Sequence, residues 1–178
     1  LLNLRKQSFK KAKASTLETT NIINKQGYSV GPTFSGKIIE EIKSIYLDRV
    51  KNVIPKPTGA PFTNIMRDED VTIDNPIVKL AFSKEILDPA IDYFGEKISF
   101  DSLQVLYSYS TLGELRESQY WHKDYGDSKS FHCVMYLNDV LEEGDGPFVF
   151  VNKVDSKKIK SSPFIRRVKD EIFLKELL

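Results

Sequence analysis

The hydrophobic period of this chain changes at Gly95. Before it, apolar residues recur at helical spacing; after it, they alternate. Residues at i, i+3, i+4 and i+7 share a helix face, whereas every second residue shares a strand face. Helices first and strands second predict an α+β arrangement. The 178 residues suit one domain. It divides into a helical part over about 1–95, a β part over about 96–155 and a basic helical tail over 156–178.

Residues 1–14 are basic and read as a helix or a loose arm. The spacing predicts a helix over 15–26, entered at Ser15 or Thr16, with Glu18 near the capping-box position and Gly27 as its stop. Tyr28-Ser29-Val30 is a short strand candidate. From Ser35 to Lys51, Ile38, Ile39, Ile42, Ile45, Tyr46 and Val50 form an apolar helical stripe, and Pro55 and Pro57 end the segment. Residues 55–75 read as a loop, with Arg67-Asp68-Glu69-Asp70 as a solvated charged run. Helical spacing returns over 76–94, capped by Gly95.

Beyond Gly95, residues 99–109 read as a strand with Leu103, Val105, Tyr107 and Tyr109 on one face. Residues 130–140 and Phe148–Val151 are two further strand candidates, and 168–178 return to helical spacing.

Charge and apolar content exclude some roles. Lys and Arg total 26 against 25 Asp and Glu, a net charge of +1, which argues against strong nonspecific nucleic-acid binding. No run approaches the ~18 apolar residues of a membrane span. Leu1-Leu2-Asn3-Leu4 runs at once into Arg5, Lys6, Lys10, Lys11 and Lys13, which is no secretory pattern. The single cysteine, Cys133, lies in an apolar stretch and reads as a buried, inert thiol in a reducing, cytoplasmic setting.

The chemistry concentrates at Trp121-His122-Lys123-Asp124. Side chains two apart on an extended segment point to the same side. An imidazole and a carboxylate are two of the three ligands of the facial triad that holds non-haem Fe(II). The bland reading is a surface histidine beside a solvated acid. Only one other histidine exists, His132, and it would share its strand face with Val134 and Tyr136. A structural or pocket-lining role suits His132 better than metal ligation, although a metal site built from His122, Asp124 and His132 stays open.

The wider pattern narrows the choice. Gln119–Asp124, Val134-Met135-Tyr136-Leu137-Asn138-Asp139-Val140 and Gly144-Asp145-Gly146-Pro147-Phe148-Val149-Phe150-Val151 together resemble the phytanoyl-CoA dioxygenase family, Fe(II)- and 2-oxoglutarate-dependent oxygenases. Lys25–Val30, the helix after it and Phe100–Gln104 fit the same pattern, so the resemblance spans roughly residues 20–155. It implies a double-stranded β-helix of the jelly-roll or cupin-like kind with N-terminal helices. It further implies that His122 and Asp124 are iron ligands. Tyr107 becomes a candidate 2-oxoglutarate contact, with aromatic packing as the equal alternative, and Trp121 a packing residue behind the ligand. Lys123 should face away from the metal. The cofactors would be Fe(II) and 2-oxoglutarate, and the partners dioxygen and a small organic substrate, with no nucleic acid or membrane. Aspartate at 124, where halogenases of this class free a site for halide, implies hydroxylation.

Two parts of the family pattern have no match. The distal histidine ligand is absent, and so is the arginine that follows it and holds the far carboxylate of 2-oxoglutarate; Arg166 and Arg167 fall too early and lack a strand context. Lys157, Lys158 and Lys160 read as solvent-exposed. The resemblance thus implies either later strands beyond this sequence or a catalytically silent, cupin-like binding or scaffold domain.

Overall fold

In a computed structural model of the protein, residues 17–54, 60–95, 98–109, 115, 117–124, 129–159 and 167–177 are described. The basic segment 1–14, the cap candidates Ser15 and Thr16, Pro55, Pro57, Lys160 and Arg166 lie outside them.

Helix α1 spans Glu18–Gln26 and ends as expected at Gly27, whose φ of 92° is left-handed and whose N–H bonds the Ile23 carbonyl at 2.8 Å. It is this backbone conformation that asks for glycine; an added Cβ would meet the Lys153 Cβ at 3.4 Å, an ordinary contact. Lys153 is held in that place by its backbone N–H on the Gln26 carbonyl (2.7 Å) and its ammonium on the Asn24 carbonyl (3.0 Å). Tyr28, expected in a strand, instead sets its ring edge-on against Phe150, centroids 3.9 Å apart.

Helix α2 spans Gly36–Val50 and buries Ile42 and Tyr46 from its predicted stripe. The helical stretch expected over 76–94 is two helices, α3 (Pro76–Ala81) and α4 (Lys84–Phe94). Phe82 leaves the helical region and Ser83 turns extended as the N-cap of α4, a place that suits serine better than a helix interior. Asn75 caps α3 by accepting from the Ile77 N–H at 3.1 Å, and Pro76 follows at a first-turn position where its missing N–H costs nothing. Helix α1 lies against α4, where the buried Thr20 hydroxyl donates to the Pro89 carbonyl at 3.4 Å.

The core gathers Ile42, Tyr46, Met66, Ile77, Val78, Leu80 and Val105, with Met135 and Leu137 packed onto it from the later part of the chain. A polar knot closes one side of it. Arg49 forks onto Asp70, with Nη2 donating to Oδ1 at 2.7 Å, and also donates to the Ile65 carbonyl at 2.9 Å. Asn75 donates to the Tyr46 hydroxyl (2.9 Å) and to the Asp70 carbonyl (3.0 Å). Asp70 is therefore buried, correcting its reading as part of a solvated run; Arg67, Asp68 and Glu69 are exposed. The Arg49 hydrogen bond holds the Asp70 carboxyl below the usual carboxylate range, and burial pushes the Tyr46 phenol up.

Two small sheets complete the described structure. Strand β1 (Phe62–Asn64), inside the expected loop, pairs antiparallel with β2 (Leu106–Ser108), Thr63 opposite Tyr107. The alternation read over 103–109 holds: Val105 is buried, while Gln104, Leu106 and Ser108 are exposed. Strands β3 (Trp121–His122) and β4 (Arg167–Val168) form the second sheet, and α5 (Asp170–Leu177) follows.

Residues 131–137 and 148–151 carry no strand assignment, though both were expected as strands. Met135 and Leu137 turn inward and Val134 and Tyr136 outward, so the period-two pattern is present without a paired neighbour among the described residues. Alternation needs only an extended backbone, whereas a strand needs a partner. The described residues contain no closed barrel, and the double-stranded β-helix remains an expectation drawn from the resemblance. No helix among them is long and apolar enough to cross a membrane.

Candidate functional site

The β3–β4 ribbon is a two-faced object. Trp121 stands opposite Val168 and His122 opposite Arg167, so one face is apolar and the other polar. On the apolar face, Trp121 stacks on Phe173 of α5, centroids 3.9 Å apart and rings 8° from parallel. Phe173 is only 4% exposed, so α5 covers this face and leaves the His122 face open. Trp121 thus packs, as expected, and its anchoring fixes which way His122 looks.

His122 Nδ1 lies 2.6 Å from the Tyr120 carbonyl oxygen. A carbonyl only accepts, so Nδ1 carries the hydrogen, and in the neutral ring Nε2 holds the lone pair. Nε2 faces Asp124 Oδ1 at 3.4 Å, with the two side chains 32% and 61% exposed. Two electron-pair donors facing one another are favourable only with positive charge between them, as an imidazolium proton or a cation. Two donors each about 2.1 Å from a shared ion stand about 3.0 Å apart at a right angle and about 3.4 Å at a tetrahedral one. The sequence-predicted pair thus comes together at 3.4 Å, a separation shared by an imidazolium–carboxylate ion pair and by two ligands of one cation. The carbonyl bond to Nδ1 is the kind of outer support that orients a ligating imidazole. Among the described residues no third His, Cys, Asp or Glu completes a metal-holding group.

A small cleft of about 230 Å³ is lined by Glu117, Tyr120, Lys169 and Arg167, the last being the cross-strand neighbour of His122. Arg167 Nη2 reaches Glu117 Oε2 at 3.5 Å. Glu117 holds a left-handed φ of 50°, which costs a non-glycine residue roughly 1 kcal/mol. Arg167 has the strand context that its place in the sequence had not suggested, because β4 forms only by pairing with a segment far upstream. Local alternation around Arg167 carries no sign of that partner.

The other predicted residues lie apart from this face. Tyr107 sits on β2 in the other sheet, its ring 5.4 Å from that of Tyr109 and nearly perpendicular to it. Among the described residues no hydrogen bond or ring contact joins Tyr107 to His122 or Asp124, and its visible role is packing. His132 is exposed on the side of Val134 and Tyr136. Cys133 is exposed as a residue, correcting the buried reading, although neighbouring atoms desolvate the thiol enough to raise its pKa. Lys123 is exposed, as are Lys157 and Lys158, the latter paired with Asp155 at 2.7 Å.

No family model matches this chain, and neither a curated protein nor a solved structure matches it.

Proposed function

We propose that this protein is an Fe(II)- and 2-oxoglutarate-dependent dioxygenase that hydroxylates a small organic substrate, with His122 and Asp124 as iron ligands. The observation that carries the reading is the facing of His122 Nε2 and Asp124 Oδ1 at 3.4 Å, with Nδ1 already committed to the Tyr120 carbonyl. The resemblance of the surrounding motifs to the phytanoyl-CoA dioxygenase family supports it. His122 and Asp124 would hold the iron, which would supply the redox chemistry that couples decarboxylation of 2-oxoglutarate, to succinate and carbon dioxide, with hydroxylation of the substrate by dioxygen. The Tyr120 carbonyl keeps the His122 hydrogen on Nδ1, and Trp121 against Phe173 keeps the ribbon oriented. Under this reading the partners are dioxygen and a small molecule, and the setting is the reducing cytoplasm, in keeping with a single cysteine; Tyr107, on the other sheet, keeps its packing role.

A second reading is a cupin-like binding domain without catalysis. It draws on the absence of a third ligating side chain beside the pair among the described residues. Fe(II) binding and succinate formation from 2-oxoglutarate, measured together on the protein, separate the two. The dioxygenase reading expects both, and expects His122→Ala and Asp124→Ala each to abolish Fe(II) binding. Neither binding nor succinate, with the protein folded, overturns it in favour of the second.

A further inference from the structure

The shallow cleft beside Arg167 carries more positive than negative charge in its lining. Arg167, on β4, and Lys169, whose carbonyl accepts the first N–H bonds of α5, line the same cleft. They bring two positive charges against the one carboxylate of Glu117. The Arg167–Glu117 contact, at 3.5 Å, is longer than the roughly 2.8 Å of a charge-assisted hydrogen bond, and among the described residues no carboxylate engages the guanidinium as a fork. No carboxylate among the described residues pairs with the Lys169 ammonium. The volume of about 230 Å³ falls below the roughly 300 Å³ at which small-molecule pockets begin, so the cleft suits a head group rather than a whole ligand. Tyr120 ties the two places together: it is among the residues that line the cleft, and its carbonyl orients the His122 ring.

We propose that Arg167 and Lys169 anchor an anionic end, carboxylate or phosphate, of the organic substrate, whose remainder extends along the polar face of the ribbon to His122 and Asp124. The substrate class is thereby an organic anion. The proposal rests on the dioxygenase reading for the word substrate, and on the cleft alone for anion binding.

The test uses Trp121, the only tryptophan of the chain and a member of the same ribbon, as its fluorescent reporter. Inorganic phosphate and acetate are titrated into the metal-free protein at constant ionic strength, with chloride as the balancing salt. A saturable change in Trp121 emission is expected with at least one of them. Arg167→Gln with Lys169→Gln should weaken that binding about tenfold or more, the loss of charge-assisted hydrogen bonds. Glu117→Gln should tighten it, since the competing carboxylate is gone; this variant and Lys169→Gln alone carry the test if the double variant does not fold. No saturable change, or the same affinity in wild type and variants, overturns the proposal. A parallel titration with 2-oxoglutarate assigns the source: if it binds with the same dependence on Arg167 and phosphate or acetate displaces it, the cleft belongs to the co-substrate and the substrate assignment fails. Because no iron is present, anion binding without any Fe(II) affinity keeps the cleft and removes the dioxygenase reading, whereas the reverse result removes only the cleft.

Discussion

Around Tyr46 the polar groups are satisfied inside the protein; around His122 they are turned outward. Arg49 answers Asp70, Asn75 answers both Tyr46 and the Asp70 carbonyl, and the knot backs onto the packed side chains of α2 and α3. The β3–β4 ribbon has one apolar anchor, Trp121 on Phe173, and a polar face whose imidazole, carboxylate and guanidinium are all partly in solvent. The first arrangement spends its hydrogen bonds on holding α2, α3 and the 65–75 segment together. The second leaves its ionisable groups at the surface in long, solvent-screened pairs, and contributes correspondingly little to stability.

The comparison can be broken at several points. Ile42 is wholly buried in the core, so Ile42→Ala should cost about 2–5 kcal/mol by denaturant unfolding, with no selective effect on Fe(II) affinity in the folded fraction. Asp70→Asn leaves Arg49, itself about 20% exposed, without its anion and should cost about 1–3 kcal/mol. Acid sharpens this point. Arg49 lowers the Asp70 pKa in the folded state, so the stabilisation is complete above the unfolded value of about 3.9 and drains away as pH falls through the folded value. Asp70→Asn should flatten that limb of an acid titration followed by circular dichroism. Gly27→Ala forces a left-handed φ of 92° on a residue with a Cβ and should cost about 1 kcal/mol, read as a lowered Tm. His122→Ala should change stability by less than about 0.5 kcal/mol while removing Fe(II) binding. If His122→Ala destabilised the fold as Ile42→Ala does, the division between a buried structural knot and a solvent-facing ribbon would be wrong.

The sequence makes part of this visible and hides the rest for identifiable reasons. Helices α1, α2 and α5 are local objects, and their apolar spacing and the glycine at 27 announce them. The break between α3 and α4 is hidden because the apolar spacing runs on through Ser83, and only the cap conformation of that residue separates the two helices. Strand β1 is three residues between a proline and a charged run, too short to show a period. Asp70 reads as solvated until Arg49, on another element, is brought to it. Likewise His122 and Asp124 are legible as a pair because two residues of extended chain fix their relation, whereas Arg167 enters the site only through the β3–β4 pairing. Spacing along one strand is written locally; which strand lies beside it is not.

The tie between Lys153 and the end of α1 has a kinetic side. Its side-chain bond to Asn24 spans 129 positions, and it encloses the core, both sheets' upstream strands and the His122–Asp124 pair in one loop. Closing so long a loop costs chain entropy before the contact repays it, so this junction forms late in folding and opens early under stress. The amide of Lys153 should then exchange its hydrogen faster than those of α2, and the segment 148–153 should be able to detach while the Tyr46 knot stays closed.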